Sequence, residues 1–264
     1  MNSPIGVFDS GLGGLSVASR ILQLLPNERI IYFADTAHVP YGERSFDEIR
    51  KFSRNIVDFL VSKGVKAVVV ACNLSSAVAL DTVAQAFRQI PIIGVIKPGS
   101  KAAVAAANGY PIGVLGTTGA IKSGAYESAI AELDPSIKVV GQACPKFVPL
   151  VESGKSDSDE ALAAAYEYVA PLLAEGCGAI VLGCTHYPFL RKSIQTAAGL
   201  DVTIVDPAQE TAIALGNILM KYNIEGDGAD VVHEFYASGD WAGLVAFGSK
   251  FVGRDIGSVT RVSI

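Results

Sequence analysis

Short apolar runs, rich in β-branched residues, alternate along the chain with longer amphipathic stretches. The runs at 5–8, 30–34, 65–71, 92–96, 112–116, 138–141, 179–183, 202–205, 234–238 and 258–262 have strand length. Several are continuously hydrophobic, which is the pattern of parallel strands covered on both faces. Between them apolar residues recur at helical spacing. Leu15, Ala18, Ile21, Leu22 and Leu25 share one face of a helix, and Phe46, Ile49, Phe52, Ile56, Phe59 and Leu60 share another. The second of these helices opens on Ser45-Phe46-Asp47-Glu48, a capping-box spelling, and stops at Gly64. An Ala-rich helix is predicted over 158–175, just before Gly176. Repeated strand–helix alternation predicts an α/β fold with parallel sheets flanked by helices.

No low-complexity linker divides the chain, and the polar stretch 153–158 reads as a loop. There is one internal echo. Val68-Val69-Val70-Ala71-Cys72-Asn73 and Ile180-Val181-Leu182-Gly183-Cys184-Thr185 share an order: apolar strand, small residue, cysteine, small polar residue. The echo predicts two similar α/β halves, each ending a central strand with a thiol.

The 264 residues carry 21 Lys+Arg against 26 Asp+Glu, a formal net charge of −5, and half of them are hydrophobic. This excludes a disordered chain. Without a basic run, it also argues against a nucleic-acid surface. No apolar run approaches the ~20 residues that span a bilayer. The first residues show neither a basic segment nor an apolar one of the secretory kind. Four cysteines are too sparse for a disulfide framework. A cytoplasmic protein is expected, with each cysteine either buried or chemically active.

Ligands of open parallel sheets bind beyond the carboxyl ends of the strands, where Cys72 and Cys184 both lie. A helix is predicted after each, over 75–87 and 188–198. Unpaired N–H groups at a helix start lower a thiol pKa below ~8.5. A lone cysteine is more often a small core hydrophobe. Two in matching positions, flanked by Asn73 and by Thr185-His186, favour acid–base work instead. Cys144 and Cys177 lack such neighbours and read as core. Cys184 and His186 stand two residues apart, but no CxxC or HExxH spacing occurs and the chain has only three His, so no metal is expected.

Phe8-Asp9-Ser10-Gly11-Leu12-Gly13-Gly14 follows a strand and opens a helix, the setting of an anion-binding loop. It is not a dinucleotide fingerprint, because Ser16 stands where the third glycine belongs. Asp35, at the end of the second strand, imitates the ribose-binding acid of that motif. A purely structural turn is the plain alternative. Against it stands Asp9, a carboxylate where the helper of a general base would sit. Pro40-Tyr41-Gly42 forms a turn whose tyrosine can simply cap the core. Gly116-Thr117-Thr118 offers hydroxyl and N–H groups to a carboxylate. Glu152 by itself reads as an ordinary exposed side chain. Two thiols across a small anion-binding cleft suit removal of a proton from one face of a carbon and its return to the other, a racemisation or epimerisation. No lysine motif for a pyridoxal Schiff base stands out, which leaves a lone lysine open at this point.

Longer motifs extend this reading. They are G-V-F-D-S-G-L-G-G-L-S-V (6–17), V-P-Y-G (39–42), V-V-A-C-N (69–73), G-V-I-x-P-G (94–99), K-S-G-A-Y (122–126), A-C-P-x-F-x-P-L (143–150), L-G-C-T-H-Y-P (182–188) and V-D-P-A (205–208). In them the chain resembles the glutamate racemases, cofactor-independent enzymes that supply D-glutamate for peptidoglycan. The wider superfamily includes aspartate and hydantoin racemases. The resemblance implies two pseudo-twofold-related α/β domains, 1–97 with 208–264 and 98–207, around an interdomain active site. It implies Cys72 and Cys184 as the two acid/bases, the first acting on D-glutamate and the second on L-glutamate. Asp9 would assist Cys72, while Glu152 and His186 would assist Cys184. Asp9, Ser10, Tyr41, Gly42, Asn73, Leu74, Thr117, Thr118, Thr185 and His186 are expected around the substrate. Free glutamate is the expected ligand and a homodimer the expected assembly.

Three positions depart from the family pattern. Leu74 stands where Thr usually follows Cys-Asn, Lys97 where Glu is common, and Ala120 where Thr is common. Leu74 removes a hydroxyl from the substrate shell but keeps its backbone N–H. Either the substrate loses a bond, or Leu74 packs against the adjoining domain and the N–H alone suffices. Two other readings remain beside glutamate racemase: another amino-acid racemase, such as one for aspartate, and a non-catalytic small-anion binding module.

Overall fold

The computed structural model describes residues 3–229, 231–245, 248, 256 and 258–264. The chain divides into two compact units, Met1–Val95 with Ala208–Ile264, and Ile96–Pro207. The first begins with β1 (Ile5–Asp9), α1 (Leu15–Leu24), β2 (Ile30–Ala34), α2 (Phe46–Ser62), β3 (Ala67–Val70), α3 (Asn73–Val78), α4 (Leu80–Ala86) and β4 (Ile92–Gly94). The second holds α5 (Ile96–Ala107), β5 (Ile112–Gly116), α6 (Thr118–Lys122), α7 (Ala125–Ala131), β6 (Val139–Ala143), α8 (Phe147–Glu152), α9 (Asp159–Ala174), β7 (Ala179–Gly183), α10 (Arg191–Ala198) and β8 (Thr203–Val205). Helix α11 (Pro207–Tyr222) leads back into the first unit, which adds β9 (Glu234–Ala237) and β10 (Val259–Arg261).

Every described strand pairing is parallel. The first sheet runs β10-β9-β2-β1-β3-β4 and the second β6-β5-β7-β8. The four strands β2-β1-β3-β4 and the four strands β6-β5-β7-β8 therefore repeat one topology, second-first-third-fourth. Cys72 follows the third strand of one set and Cys184 the third strand of the other, which is the structural content of the sequence echo. All residues of β1, β2, β3, β5 and β7 are buried, as their unbroken apolar runs predict.

Local signals explain the element boundaries. The Ser45 hydroxyl accepts from the Glu48 N–H and the Glu48 carboxylate accepts from the Ser45 N–H, closing the capping box of α2. Gly64, at φ +76°, ends that helix in a backbone conformation that only glycine adopts cheaply. In the first unit, Ile56, Val57 and Leu60 of α2 and Val83 of α4 pack on Phe8, Ile31, Phe33, Val68 and Val70. In the second, Val169 and Leu172 of α9 and Ile194 of α10 pack on Leu115, Ile180 and Leu182.

Three sequence expectations change. The strand predicted over 92–96 ends at Gly94, and Ile96 already opens α5. The helix predicted over 75–87 starts at Asn73 and breaks at Ala79 into α3 and α4. The break follows from two packing demands. The Ser76 hydroxyl donates to the Val70 carbonyl and accepts from the Val95 N–H, pinning α3 to strand ends, while α4 buries Val83 in the core. The helix predicted over 188–198 begins as a 3-10 turn, Tyr187–Leu190, with Pro188 in its first positions, and only then becomes α10.

Candidate active site

Asp9 ends β1 in the first unit and is fully buried. Its neighbour in the sheet is β3, whose end leads through Ala71 to Cys72. The Gly11 N–H donates to Asp9 Oδ2 at 3.0 Å, and the Tyr32 hydroxyl donates to the Gly11 carbonyl at 2.7 Å. These bonds brace the glycine-rich loop from both sides. Gly14 caps α1 where no side chain fits: a Cβ there would lie 2.4 Å from Asp9 Cβ and 2.8 Å from the Tyr32 hydroxyl. Burial, and then the charges of Asp9 and Cys72, hold the Tyr32 phenol well above its ordinary pKa, so it stays a neutral donor.

Cys72 occupies the N-cap of α3. Its sulfur accepts from the Ser75 N–H at 3.5 Å, which directs the thiol toward the open start of the helix. Asn73 and Leu74 follow, both buried, and Ser10 is half-buried beside Asp9. The Leu74 side chain belongs to an apolar cluster with Tyr41, Ile49 and Cys72, bordered by Phe46, Phe52 and Val78. Its packing partners in this cluster all belong to its own unit, on residues 41–78.

Tyr41 opens a 3-10 turn, Tyr41–Glu43, that also carries the exposed Gly42. The Tyr41 hydroxyl donates to Asp35 Oδ2 at 2.5 Å. Asp35 is itself buried at the end of β2, where it also accepts from the Ser238 hydroxyl and contacts His38 Nδ1. Burial and the Asp35 carboxylate raise the Tyr41 phenol far above its usual range. With its hydroxyl committed to Asp35, the turn offers a ligand the backbone N–H groups at its open start.

In the second unit, β5 and β7 lie in register with Gly116 opposite Gly183, so Thr117 and Cys184 leave the sheet side by side. Thr117 caps α6, its hydroxyl accepting from the Ala120 N–H at 3.3 Å, and Thr118 is exposed. Cys184, Thr185 and His186 are each more than nine-tenths buried. Cys184 Sγ lies 3.8 Å from His186 Nδ1, and His186 Nε2 lies 3.2 Å from Glu152 Oε1 at the end of α8. A carboxylate only accepts, so the Glu152 contact places the imidazole proton on Nε2 and leaves the Nδ1 lone pair facing the thiol. This ring can take a proton from Cys184 or return one.

Two residues without an assigned role in the sequence are Tyr126, which stands beside this thiol, and Asp206, whose charge acts on the Tyr126 phenol. Tyr126 is buried with its ring against Gly183, and its phenol is raised by burial, then by Asp206 and Cys184. Both lie in quoted motifs, K-S-G-A-Y and V-D-P-A, but neither motif states a contact. Cys144 and Cys177 are buried in the apolar core of this unit, and burial pushes both thiols up, away from thiolate chemistry. Lys97 is exposed and pairs with Glu132 at 4.0 Å, while Ala120 is buried in α6. Among the described residues, no cluster of three His, Cys, Asp or Glu is arranged to hold a metal ion, and no helix is long and apolar enough to cross a membrane.

Each unit thus presents, at the carboxyl edge of a parallel sheet, one thiol with donor groups and a carboxylate close by. Known proteins are similar to the chain in sequence and in fold. Residues 5–215 match the model of the Asp/Glu/hydantoin racemase family. A glutamate racemase of Geobacter metallireducens is 42% identical over 98% of this chain and 96% of its own. The crystal structure of glutamate racemase isoform RacE1 from Bacillus anthracis matches with a TM-score of 0.94 at 41% identity, covering 99% of this chain and 98% of that one. Glutamate racemase from Francisella tularensis, solved in complex with D-glutamate, matches with a TM-score of 0.92 at 35% identity, again over 99% of this chain and 98% of that one. By sequence and by fold, the chain belongs to the Asp/Glu/hydantoin racemase family.

Proposed function

We propose that the chain is a glutamate racemase that interconverts L- and D-glutamate with two cysteine acid/bases, one from each unit, and so supplies D-glutamate for peptidoglycan. The Cys72 thiolate takes the α-proton of D-glutamate, and the Cys184 thiol delivers a proton to the other face of the same carbon. The products are L-glutamate, a Cys72 thiol and a Cys184 thiolate. The reverse reaction starts from that state. A thiolate suits the task because it is a weakly solvated base whose pKa can be set near neutrality.

The other residues follow from their places. Asp9, at the strand end next to Cys72, assists that thiol. His186, oriented by Glu152, exchanges protons with Cys184. Ser10, Asn73, Thr117, Thr118, Thr185 and the N–H groups of Tyr41, Gly42 and Leu74 are the donors available to the two carboxylates. Helix starts and turns of this kind favour anions.

The observation that carries the reading is the chain Cys184–His186–Glu152 placed at the strand end topologically equivalent to that of Cys72. A passive anion binder has no use for a thiol coupled to an oriented imidazole. The test is incubation of the purified protein with L-glutamate in heavy water without added cofactor, with L-aspartate in parallel. D-glutamate labelled with deuterium at Cα is expected, and little turnover of aspartate. Unlabelled product, a requirement for pyridoxal phosphate, or preference for aspartate overturns the reading.

A further inference from the structure

Buried carboxylates carry a large desolvation cost unless donors surround them. Asp35 is 1% exposed and has such donors, drawn from distant parts of the first unit. The Tyr41 hydroxyl donates to its Oδ2 at 2.5 Å and the Ser238 hydroxyl to its Oδ1 at 2.6 Å. His38 Nδ1 lies 2.8 Å from Oδ1 and 3.0 Å from Oδ2, with its ring stacked on Phe52 at 3.9 Å. Ser238 is held in turn, since its hydroxyl accepts from the Ala37 N–H at 2.9 Å and its own N–H donates to the Ala34 carbonyl. The end of β9 and the segment from Ala37 to Tyr41 are therefore joined through one carboxylate.

We propose that Asp35 is a positioning residue for the reaction, which with Ser238 latches the Tyr41–Gly42 turn in the orientation that receives a substrate carboxylate. The inference rests on the proposed function in taking that turn as part of the substrate site. Its reason is mechanical. The turn is exposed at Gly42 and is anchored by a single buried side chain, that of Tyr41. A Tyr41 hydroxyl that moves carries the adjacent N–H groups with it. Asp35 does not touch substrate in this scheme. It acts through Tyr41, and Ser238 fixes the carboxylate rotamer.

The experiment compares Asp35→Asn, Ser238→Ala, Ser238→Thr, Tyr41→Phe and the double variant Tyr41→Phe/Ser238→Ala with the native protein. Two readouts are taken. The first is amide hydrogen exchange over residues 37–44 without substrate, which does not depend on activity. The second is KM and kcat for both glutamate enantiomers. Ser238→Ala is the mild variant, since it removes one oxygen and leaves the backbone bonds of β9 in place. It should speed exchange over 37–44 and raise KM by about threefold to tenfold with kcat nearly unchanged. Asp35→Asn should act in the same direction and more strongly, and Ser238→Thr should restore native values. In the double variant the KM increase should be no larger than that of Tyr41→Phe alone, because both changes cut one latch. Unchanged exchange over 37–44 in Ser238→Ala overturns the proposal, as do multiplying KM effects in the double variant. A native protein that fails to racemise glutamate counts against the proposed function, while the exchange result still judges the latch.

Discussion

Nε2 of His186 lies 3.2 Å from Oε1 of Glu152, with the histidine almost wholly buried and the glutamate side chain half exposed. The pair is asymmetric in consequence. The imidazole faces the Cys184 sulfur with its other nitrogen, whereas the carboxylate is half exposed and contacts the ring rather than the thiol. The two residues should not respond alike to substitution.

His186→Asn should lower turnover by roughly 10²–10⁴-fold, the usual worth of a positioned general acid–base group. Glu152→Gln should cost less than about tenfold, because a half-exposed pair is weakened by solvent. The two enantiomers have equal free energy, so kcat/KM must fall equally in both directions. Any directional bias in kcat must be matched by an equal bias in KM. Progress curves from each pure enantiomer measure this, and equal losses in the two variants would show that Glu152 does more than orient the ring.

Cys72→Ser and Cys184→Ser should each remove most racemisation, by about 10²-fold or more, since a serine hydroxyl is too weak an acid to serve as a base near neutral pH. Cys144→Ala and Cys177→Ala should retain most activity, because both thiols are buried in apolar surroundings. Circular dichroism of the optical conversion reads all four. Near-native turnover in either of the first two would reject the assignment.

Leu74→Thr should lower stability. Leu74 is 4% exposed among Tyr41, Ile49 and Cys72, and the substitution removes buried methyl groups while placing a hydroxyl in their midst. A loss of about 1–3 kcal/mol is expected, read as a lower thermal midpoint. KM for glutamate should stay the same or rise. A clear drop in KM would instead mean that the threonine hydroxyl reaches the substrate.

Gly14→Ala should disturb both folding and turnover. Its Cβ would meet Asp9 Cβ at 2.4 Å, so the loop carrying Asp9 and Ser10 must shift. Overpacking of this kind costs about 1–3 kcal/mol. A melting curve and kcat, measured together, should both fall, and a native-like kcat would show that the position of Asp9 tolerates displacement.

Much of the architecture was decided by the sequence alone. Buried parallel strands need apolar residues on both faces, so runs such as 30–34, 112–116 and 179–183 announce β2, β5 and β7 with their observed bounds. Capping is equally local, and Ser45 and Glu48 spell the start of α2 three residues apart. The two thiols were visible for the same reason, each following directly on an apolar strand. What spacing along the chain does not encode is which side chains meet after the strands are ordered. Asp35 read as a possible ribose-binding acid, yet it receives Tyr41 from its own loop and Ser238 from more than two hundred residues away, because β9 pairs with β2. The break at Ala79 likewise arises from competition between a strand-end tether at Ser76 and core burial of Val83. Leu74 faces Tyr41 and Cys72 only once α2 and α3 pack together. Hydrophobic period and caps act over one or two turns of chain, whereas these contacts depend on sheet order and helix packing, which only the folded structure sets.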